Sequence, residues 1–232
     1  KSGFEECWSE KFGFSRDDLA SGTVLDIWDF RDKSKLISEG RVRMNSVRED
    51  DIKLKDGGEI LSRTERQWMQ ATKIPEAEDR GGYWIAESWM RQEISNWKYP
   101  YHFIDFETSG VALPYFSGMR PYEQIAFQFS HHVMHEDGRV EHVGQFLMTE
   151  PVAFPNFAFA RALKAELEND QGTVFMWSPH ENTILNRIVK QLVNTTNPPT
   201  DSIDLISFMK SLTKGGMRAM YDLCQLSKDA YF

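Results

Sequence analysis

Cysteine is scarce in this sequence, and long apolar runs are missing from it. Only Cys7 and Cys224 occur, which excludes the disulfide framework of a small secreted domain and indicates a reducing, cytoplasmic setting. No stretch approaches the roughly 18–20 apolar residues of a membrane-spanning helix, so no membrane partner is predicted. The chain starts with a lysine and shows no secretory signal pattern, and we expect it to be a piece of a longer polypeptide.

Positive charge is also in short supply. The 27 basic residues are outnumbered by 35 acidic ones, which gives a net charge of −8, whereas proteins that coat nucleic acid usually carry a basic stripe. The balance is compatible with an enzyme that gathers carboxylates around divalent cations, and equally with a solvated surface. Glycine-rich phosphate loops, nucleophile elbows and paired-cysteine motifs do not occur. The histidines show no metal-ligand spacing, and His131 and His132 would point to opposite faces of a strand.

The pattern of apolar residues divides the chain into a mostly helical region, 1–98, and a second region, 99–232. In the first region, Ser62 and Glu65 form a capping-box signature, a helix is expected to end at Gly40, and the segments 53–59 and 75–82 read as polar connectors. In the second region, apolar runs predict strands at 101–108, 124–134, 140–148, 174–177 and 220–223. Helical periodicity predicts helices at 156–169, 179–193 and 202–212.

Three consecutive strands followed by alternating helices and strands favour one fold class. We predict an α/β fold with a ribonuclease-H-like mixed sheet flanked by helices, preceded by a small, mostly helical region. The same order of elements is available to other mixed α/β folds.

The strongest chemical signal is the segment 102–108, which reads HFIDFET. Residues two apart on a strand share a face, so Asp105 and Glu107 should project together, with Cα atoms roughly 6.6 Å apart. Two adjacent carboxylates repel each other, and a divalent cation relieves that repulsion. The alternative is a solvated strand face, but the pair interrupts a very apolar strand and precedes a turn.

Three further acids compete for a role at such a site. Glu181 could close a capping box with Ser178 at a helix start, or it could turn inward with the apolar face of that helix and act as a ligand. Asp222 lies in a short apolar stretch after two glycines. Asp204 stands in the first turn of an amphipathic helix, where an acid complements the helix dipole.

Two other residues have open readings. Cys7 could be a small buried residue, or one ligand of a metal or iron–sulfur cluster whose other cysteines precede Lys1. His180 stands beside Glu181 and could touch a substrate, or it could be structural or simply exposed.

Five segments of the chain resemble the bacterial proteins grouped as domain of unknown function 2779. The matching segments are 2–8 (SGFEECW), 103–108 (FIDFET), 120–130 (RPYEQIAFQFS), 180–185 (HENTIL) and 221–223 (YDL). These proteins are similar to RecB-like nucleases with an appended ribonuclease-H-like 3′–5′ exonuclease domain of the four-carboxylate type. The resemblance implies nucleic acid, DNA or RNA, as the partner and an upstream nuclease domain in the same polypeptide.

The resemblance also implies roles for particular residues. Asp105, Glu107 and Glu181 would be catalytic ligands of two magnesium or manganese ions, and Asp222, at the strand position between the third and fourth motifs of the family, would be a further metal residue. The expected substrate-binding residues are Thr108, His180, Arg120, Tyr122 and Gln128. Cys7 would be the last ligand of an upstream iron–sulfur cluster. The fourth acid of the family, with its histidine or tyrosine, would lie beyond Phe232, so residues 1–232 alone are expected to be unable to cut.

Two functions from different classes follow. The first is a metal-dependent 3′–5′ exonuclease that hydrolyses phosphodiester bonds. The second is a catalytically inactive ribonuclease-H-like module that binds nucleic acid or protein within a larger bacterial defence or repair protein.

Overall fold

The computed structural model describes residues 2–72, 83–150 and 154–231. The chain forms two compact units, one of Lys1–Gln92 together with Ser227–Phe232, and one of Glu93–Leu226. The predicted connector at 75–82 lies outside the described residues. Within the described part of the chain, no helix is both long enough and apolar enough to cross a membrane.

The first unit is built from short helices. They are α1 (Gly3–Phe12), α2 (Arg16–Ala20), α3 (Lys33–Ser38), a 3-10 turn (Met44–Ser46), α4 (Glu49–Ile52), α5 (Arg63–Thr72) and α6 (Glu87–Ser95), the last of which continues into the second unit. The predicted capping box of α5 is confirmed, because the Ser62 amide donates to Glu65 Oε2 at 2.8 Å and the Glu65 amide donates to Ser62 Oγ at 3.1 Å. Gly40 follows α3 with a φ of 73°, as expected for a helix end.

The second unit contains a five-stranded sheet. Its strands are β1 (Tyr101–Ser109), β2 (Ile125–Met134), β3 (Val140–Leu147), β4 (Val174–Met176) and β5 (Tyr221–Asp222). They lie in the order β3-β2-β1-β4-β5. β1 pairs antiparallel with β2 and β2 antiparallel with β3, whereas β4 runs parallel to β1 and β5 parallel to β4. The turn between β2 and β3 uses Gly138 at a φ of 84°, where a side chain would be strained.

In the part of the chain that the structure describes, four helices accompany the sheet. They are α7 (Asn156–Leu167), α8 (His180–Asn194), α9 (Ser202–Leu212) and α10 (Leu223–Ala230), and α10 crosses into the first unit. The core packs β1, β2 and β4 against α7, α8 and α9, and the predicted apolar face of α8 (Ile184, Leu185, Ile188, Leu192) is buried in it. The predicted fold class is therefore confirmed as an α/β fold with a mixed sheet flanked by helices, preceded by a mostly helical region.

Candidate active site at the carboxyl edge of the sheet

The two carboxylates of β1 share one face of the strand. Asp105 and Glu107 are exposed, while the alternating residues Ile104 and Phe106 are buried. On the neighbouring strand, Asp105 stands opposite Ser130 and Glu107 opposite Gln128. Cross-strand partners lie on the same face, so Gln128 belongs to the surface that carries both acids.

The topology brings two more acids to the same edge of the sheet. β1, β4 and β5 are parallel neighbours, so their carboxyl ends meet at one edge. Glu181 lies at the start of α8, just after β4, and Asp222 is the last residue of β5. Open α/β sheets bind ligands in the crevice outside the carboxyl ends of their strands. Acids from three separate segments therefore meet where such a sheet usually places its site.

Glu181 is the most unusual of these acids. Its side chain is buried, with 3% of the residue exposed, and among the described residues its Oε2 atom has no hydrogen-bond partner. Burial raises the pKa of the Glu181 carboxyl above its ordinary value; its own backbone amide and His180 lower the pKa, and Asp105 and Asp222 raise it further. A buried carboxylate with an unpartnered oxygen is costly, so this position is unfavourable for the protein when Glu181 is charged.

The capping-box interpretation of Glu181 is wrong. The helix begins at His180, one residue later than predicted, and the residue before it makes no side-chain capping bond. Ser178 Oγ instead accepts a bond of 3.4 Å from the amide of His180. Because Glu181 is then the second helical residue rather than the third, its carboxylate does not close a box with Ser178.

Replacing Glu181 with glutamine should stabilise the protein at neutral pH. A carboxyl whose pKa is raised by folding contributes stability below its unfolded value, about 4.5, and loses it as pH rises through the folded value. Glutamine avoids the buried charge, so we expect Glu181→Gln to gain about 1 kcal/mol or more at pH 7–8 and little at pH 4. Chemical denaturation across this pH range measures the difference. Exposed Glu136→Gln is the control, and an equal gain at every pH would contradict the explanation.

The remaining acids have different surroundings in the structure. Asp222 Oδ1 accepts a bond of 2.9 Å from the amide of Gln225, so this residue also caps α10. Asp204 lies in the first turn of α9 and pairs with Lys164 at 3.3 Å. Asp105 and Asp222 both act electrostatically on Glu181 and raise its pKa. Among the described residues, no group of three or more His, Cys, Asp or Glu side chains is arranged to hold a metal ion.

Thr108 and His180, both predicted to contact substrate, are brought together. Thr108 Oγ1 lies 3.2 Å from His180 Nε2, which joins the end of β1 to the start of α8. The β1–β2 register shifts between Glu107 and Thr108, and such bulges often redirect a side chain next to a site. A cavity of about 490 Å³ opens beside Thr108, lined mostly by apolar and aromatic side chains that include Phe116 and Phe127, with Glu150 among its polar residues.

Arg120 and Tyr122 lie in a different place. Both are exposed and line a cleft of about 910 Å³. Tyr122 has a φ of 60°, a left-handed conformation that is strained for a residue with a side chain. Phe116 lines this cleft and also the cavity beside Thr108, so the two depressions adjoin.

Cys7 is exposed on α1, so the interpretation of this residue as a small buried core residue is wrong. The buried side chain of α1 is that of its neighbour, Trp8, which packs with Phe14 and Val42. The cluster-ligand interpretation of Cys7 stays a prediction.

A chain of polar groups with two buried histidines at its centre was missed by the sequence analysis. His102 Nδ1 lies 2.9 Å from His131 Nε2, and both rings are almost fully buried. At one end, His131 Nδ1 lies 3.0 Å from Glu166 Oε2, and at the other, His102 Nε2 lies 2.9 Å from Asp170 Oδ1. Burial lowers the pKa of His102, although Asp170 acts in the opposite direction.

Arg218 completes this chain. Its guanidinium donates to Asp170 Oδ1 at 3.1 Å and to the carbonyl of Gly172 at 3.0 Å, and it also bonds the carbonyl of Leu167. Burial acts to raise the pKa of Asp170, but the Gly172 amide and His102 outweigh it, so the pKa lies below its ordinary value. The chain links β1, β2 and the segment after α7, and it lies on the face of β1 opposite Asp105.

The fold and the acidic edge define an α/β protein with carboxylates from three segments at one edge of its parallel strands. The family model for domain of unknown function 2779 matches residues 102–232, which is more than half of the chain. The chain therefore belongs to the DUF2779 family. No curated protein and no solved structure matches it.

Proposed function

We propose that this protein is a divalent-metal-dependent nuclease that removes nucleotides from the 3′ end of a nucleic acid strand. The observation that carries the proposal is the side chain of Glu181. It is a buried carboxylate with an oxygen that has no partner among the described residues, and the charges of Asp105 and Asp222 both raise its pKa. Without a bound cation, the mutual repulsion of these carboxylates and the burial of Glu181 are both unfavourable. The arrangement is suited to cations, which remove the repulsion and the desolvation cost together.

The donor set fits magnesium or manganese. Both ions prefer carboxylate oxygens, and Asp105, Glu107 and Glu181, with Asp222 as a further candidate, supply only such oxygens. Bound there, a pair of ions would activate water and stabilise the charge of the phosphate that is attacked. Thr108 and His180 would donate hydrogen bonds to the substrate at the mouth of the site, and Gln128 would do so from β2.

The resemblance to RecB-like nucleases with a ribonuclease-H-like exonuclease domain supports this proposal. The confirmed order of elements, three strands followed by alternating helices and strands, agrees with it. The same resemblance extends the proposal to Cys7, whose exposed thiol is accessible to an iron–sulfur cluster shared with an upstream nuclease domain.

One observation favours the second candidate, an inactive module that binds nucleic acid or protein. The described acids do not form a ready three-ligand group, and among the described residues Asp105 and Glu107 face solvent without a hydrogen-bond or ion-pair partner. A domain that had lost its chemistry could keep the fold and the substrate surface.

Hydrolysis of an end-labelled strand separates these candidates. The natural full-length protein should shorten a 5′-labelled single strand stepwise from its 3′ end when manganese or magnesium is present, and chelation should stop the reaction. Changing Asp105 and Glu107 together to alanine should remove this activity. Undiminished 3′–5′ shortening by the double variant would assign the cutting to another part of the polypeptide and favour the binding module.

A further inference from the structure

The cleft that contains Arg120 and Tyr122 concentrates positive charge on an acidic protein. Its basic residues are Arg120, Arg187 and Lys190, and its acidic residue is Glu123. Within the described part of the chain, the three basic side chains make no ion pair, whereas Glu123 is already bonded to Gln191 and to the amide of Arg120. The cleft therefore has three basic side chains without an ion-pair partner among the described residues, and its one carboxylate is already hydrogen-bonded. In a chain of net charge −8, this excess of positive charge indicates a site for an anionic ligand.

Helix α8 connects this cleft to the acidic edge. Arg187 is followed three and four residues later by Lys190 and Gln191, and Asn194 comes three residues after Gln191; all four line the cleft, while the opposite face of α8 is in the core. Glu181 lies at the start of the same helix. At 1.5 Å per residue, Arg187 and Lys190 lie about 9 and 13 Å further along the axis, which corresponds to roughly three to four stacked nucleotides at 3.4 Å each.

Aromatic groups accompany the cations. Tyr122 is 69% exposed and is held in a left-handed conformation, and Phe116, Phe154 and Phe157 also line the cleft. Residues held in rare backbone conformations occur preferentially at binding sites, where the surrounding structure maintains them. An aromatic ring beside basic side chains is the arrangement by which proteins bind single strands, since bases stack on the ring and phosphates pair with the cations.

We infer that this cleft holds the backbone and bases of a single-stranded polynucleotide whose end reaches the acidic edge. The inference rests on the proposed function for the direction of the strand, but binding in the cleft needs neither metal nor cleavage. An acidic peptide would satisfy the cations without using Tyr122. The cleft therefore predicts a minimum strand length, because a dinucleotide at the acidic edge would not reach Arg187 and Lys190.

Fluorescence anisotropy with labelled oligothymidine of 2 and 12 nucleotides, in chelator, tests the inference. The 12-mer should bind more tightly than the dimer. In Arg187→Gln with Lys190→Gln, the slope of log affinity against log salt should fall by about 1.4, because each phosphate contact on a single strand contributes about 0.7. The matched control is Lys98→Gln with Lys210→Gln, two exposed lysines outside the cleft that remove the same charge.

Tyr122→Gly provides a second, independent measurement. Glycine accepts the left-handed conformation, so the thermal midpoint should be kept or raised, while loss of stacking should weaken 12-mer binding by about fivefold or more. Equal weakening by the control pair, or polyglutamate competing as well as oligothymidine, would overturn the inference. Cleft-dependent binding without any hydrolysis would leave the inference standing and defeat the proposed function. Hydrolysis whose rate depends neither on strand length nor on the cleft substitutions would overturn the inference and leave the proposed function standing.

Discussion

Changing Asp105 to asparagine is expected to lower metal-dependent hydrolysis by about 1,000-fold or more. Metal ions supply several kcal/mol of transition-state stabilisation in phosphodiester hydrolysis, and each 1.4 kcal/mol is tenfold in rate. Asp105 is an exposed β1 acid that acts electrostatically on Glu181, so in the proposed site its loss would remove one ligand and weaken ion binding beside Glu181. Asparagine keeps the volume, and relief of repulsion should leave the apoprotein as stable as before or slightly more so.

The measurement is the single-turnover rate on a 5′-labelled strand together with manganese binding by calorimetry. Asp204→Asn is the matched control, because this acid lies in the first turn of α9 and pairs with Lys164. It should retain both activity and ion affinity. Equal manganese affinity in Asp105→Asn and the unchanged protein would show that the β1 pair is not a metal site.

The second large effect concerns stability. Changing Arg218 to methionine should reduce the free energy of unfolding by about 2–4 kcal/mol, because it leaves the carbonyls of Leu167 and Gly172 and the carboxylate of Asp170 without their donor. Methionine keeps much of the apolar stem of the arginine side chain, so the loss of unfolding free energy measures the contribution of the guanidinium group. Urea denaturation at pH 7 measures it.

Arg161→Met is the comparison for this effect. Arg161 forms a two-point ion pair with Asp201, but both side chains are more than one-third exposed. Solvent screens such pairs, so the expected cost is at most about 1 kcal/mol. A loss for Arg218→Met no greater than that for Arg161→Met would mean that the polar chain from Glu166 to Arg218 does not stabilise the fold.

Much of the second unit could be predicted because its apolar periodicity is strong. Helix α9 was predicted at 202–212 and lies at those residues, and the strand alternation around Asp105 placed the acids on one face. The capping box of Ser62 and Glu65 could also be predicted, because it depends only on residues three apart in the chain.

The features that failed depend on tertiary placement. Whether Glu181 caps its helix depends on a start that shifted by one residue, a difference that sequence patterns do not resolve. The contact between His102 and His131 depends on the register of β1 against β2, in which His131 lies opposite Ile104. Sequence spacing of 29 residues carries no such information. The cationic face of α8 was hidden because its partner, the segment around Arg120 and Tyr122, lies far away along the chain.

Anomalous diffraction from a crystal soaked in manganese tests the central proposal most directly. Manganese is identified by its own scattering, and the result depends neither on substrate nor on cleavage. We predict anomalous density at the carboxyl edge of the sheet, in contact with carboxylate oxygens of Asp105 and Glu181, and its loss in Asp105→Asn. Ordered crystals that show no manganese between these two residues, at concentrations that support any activity of the protein, would contradict the proposed metal-dependent nuclease.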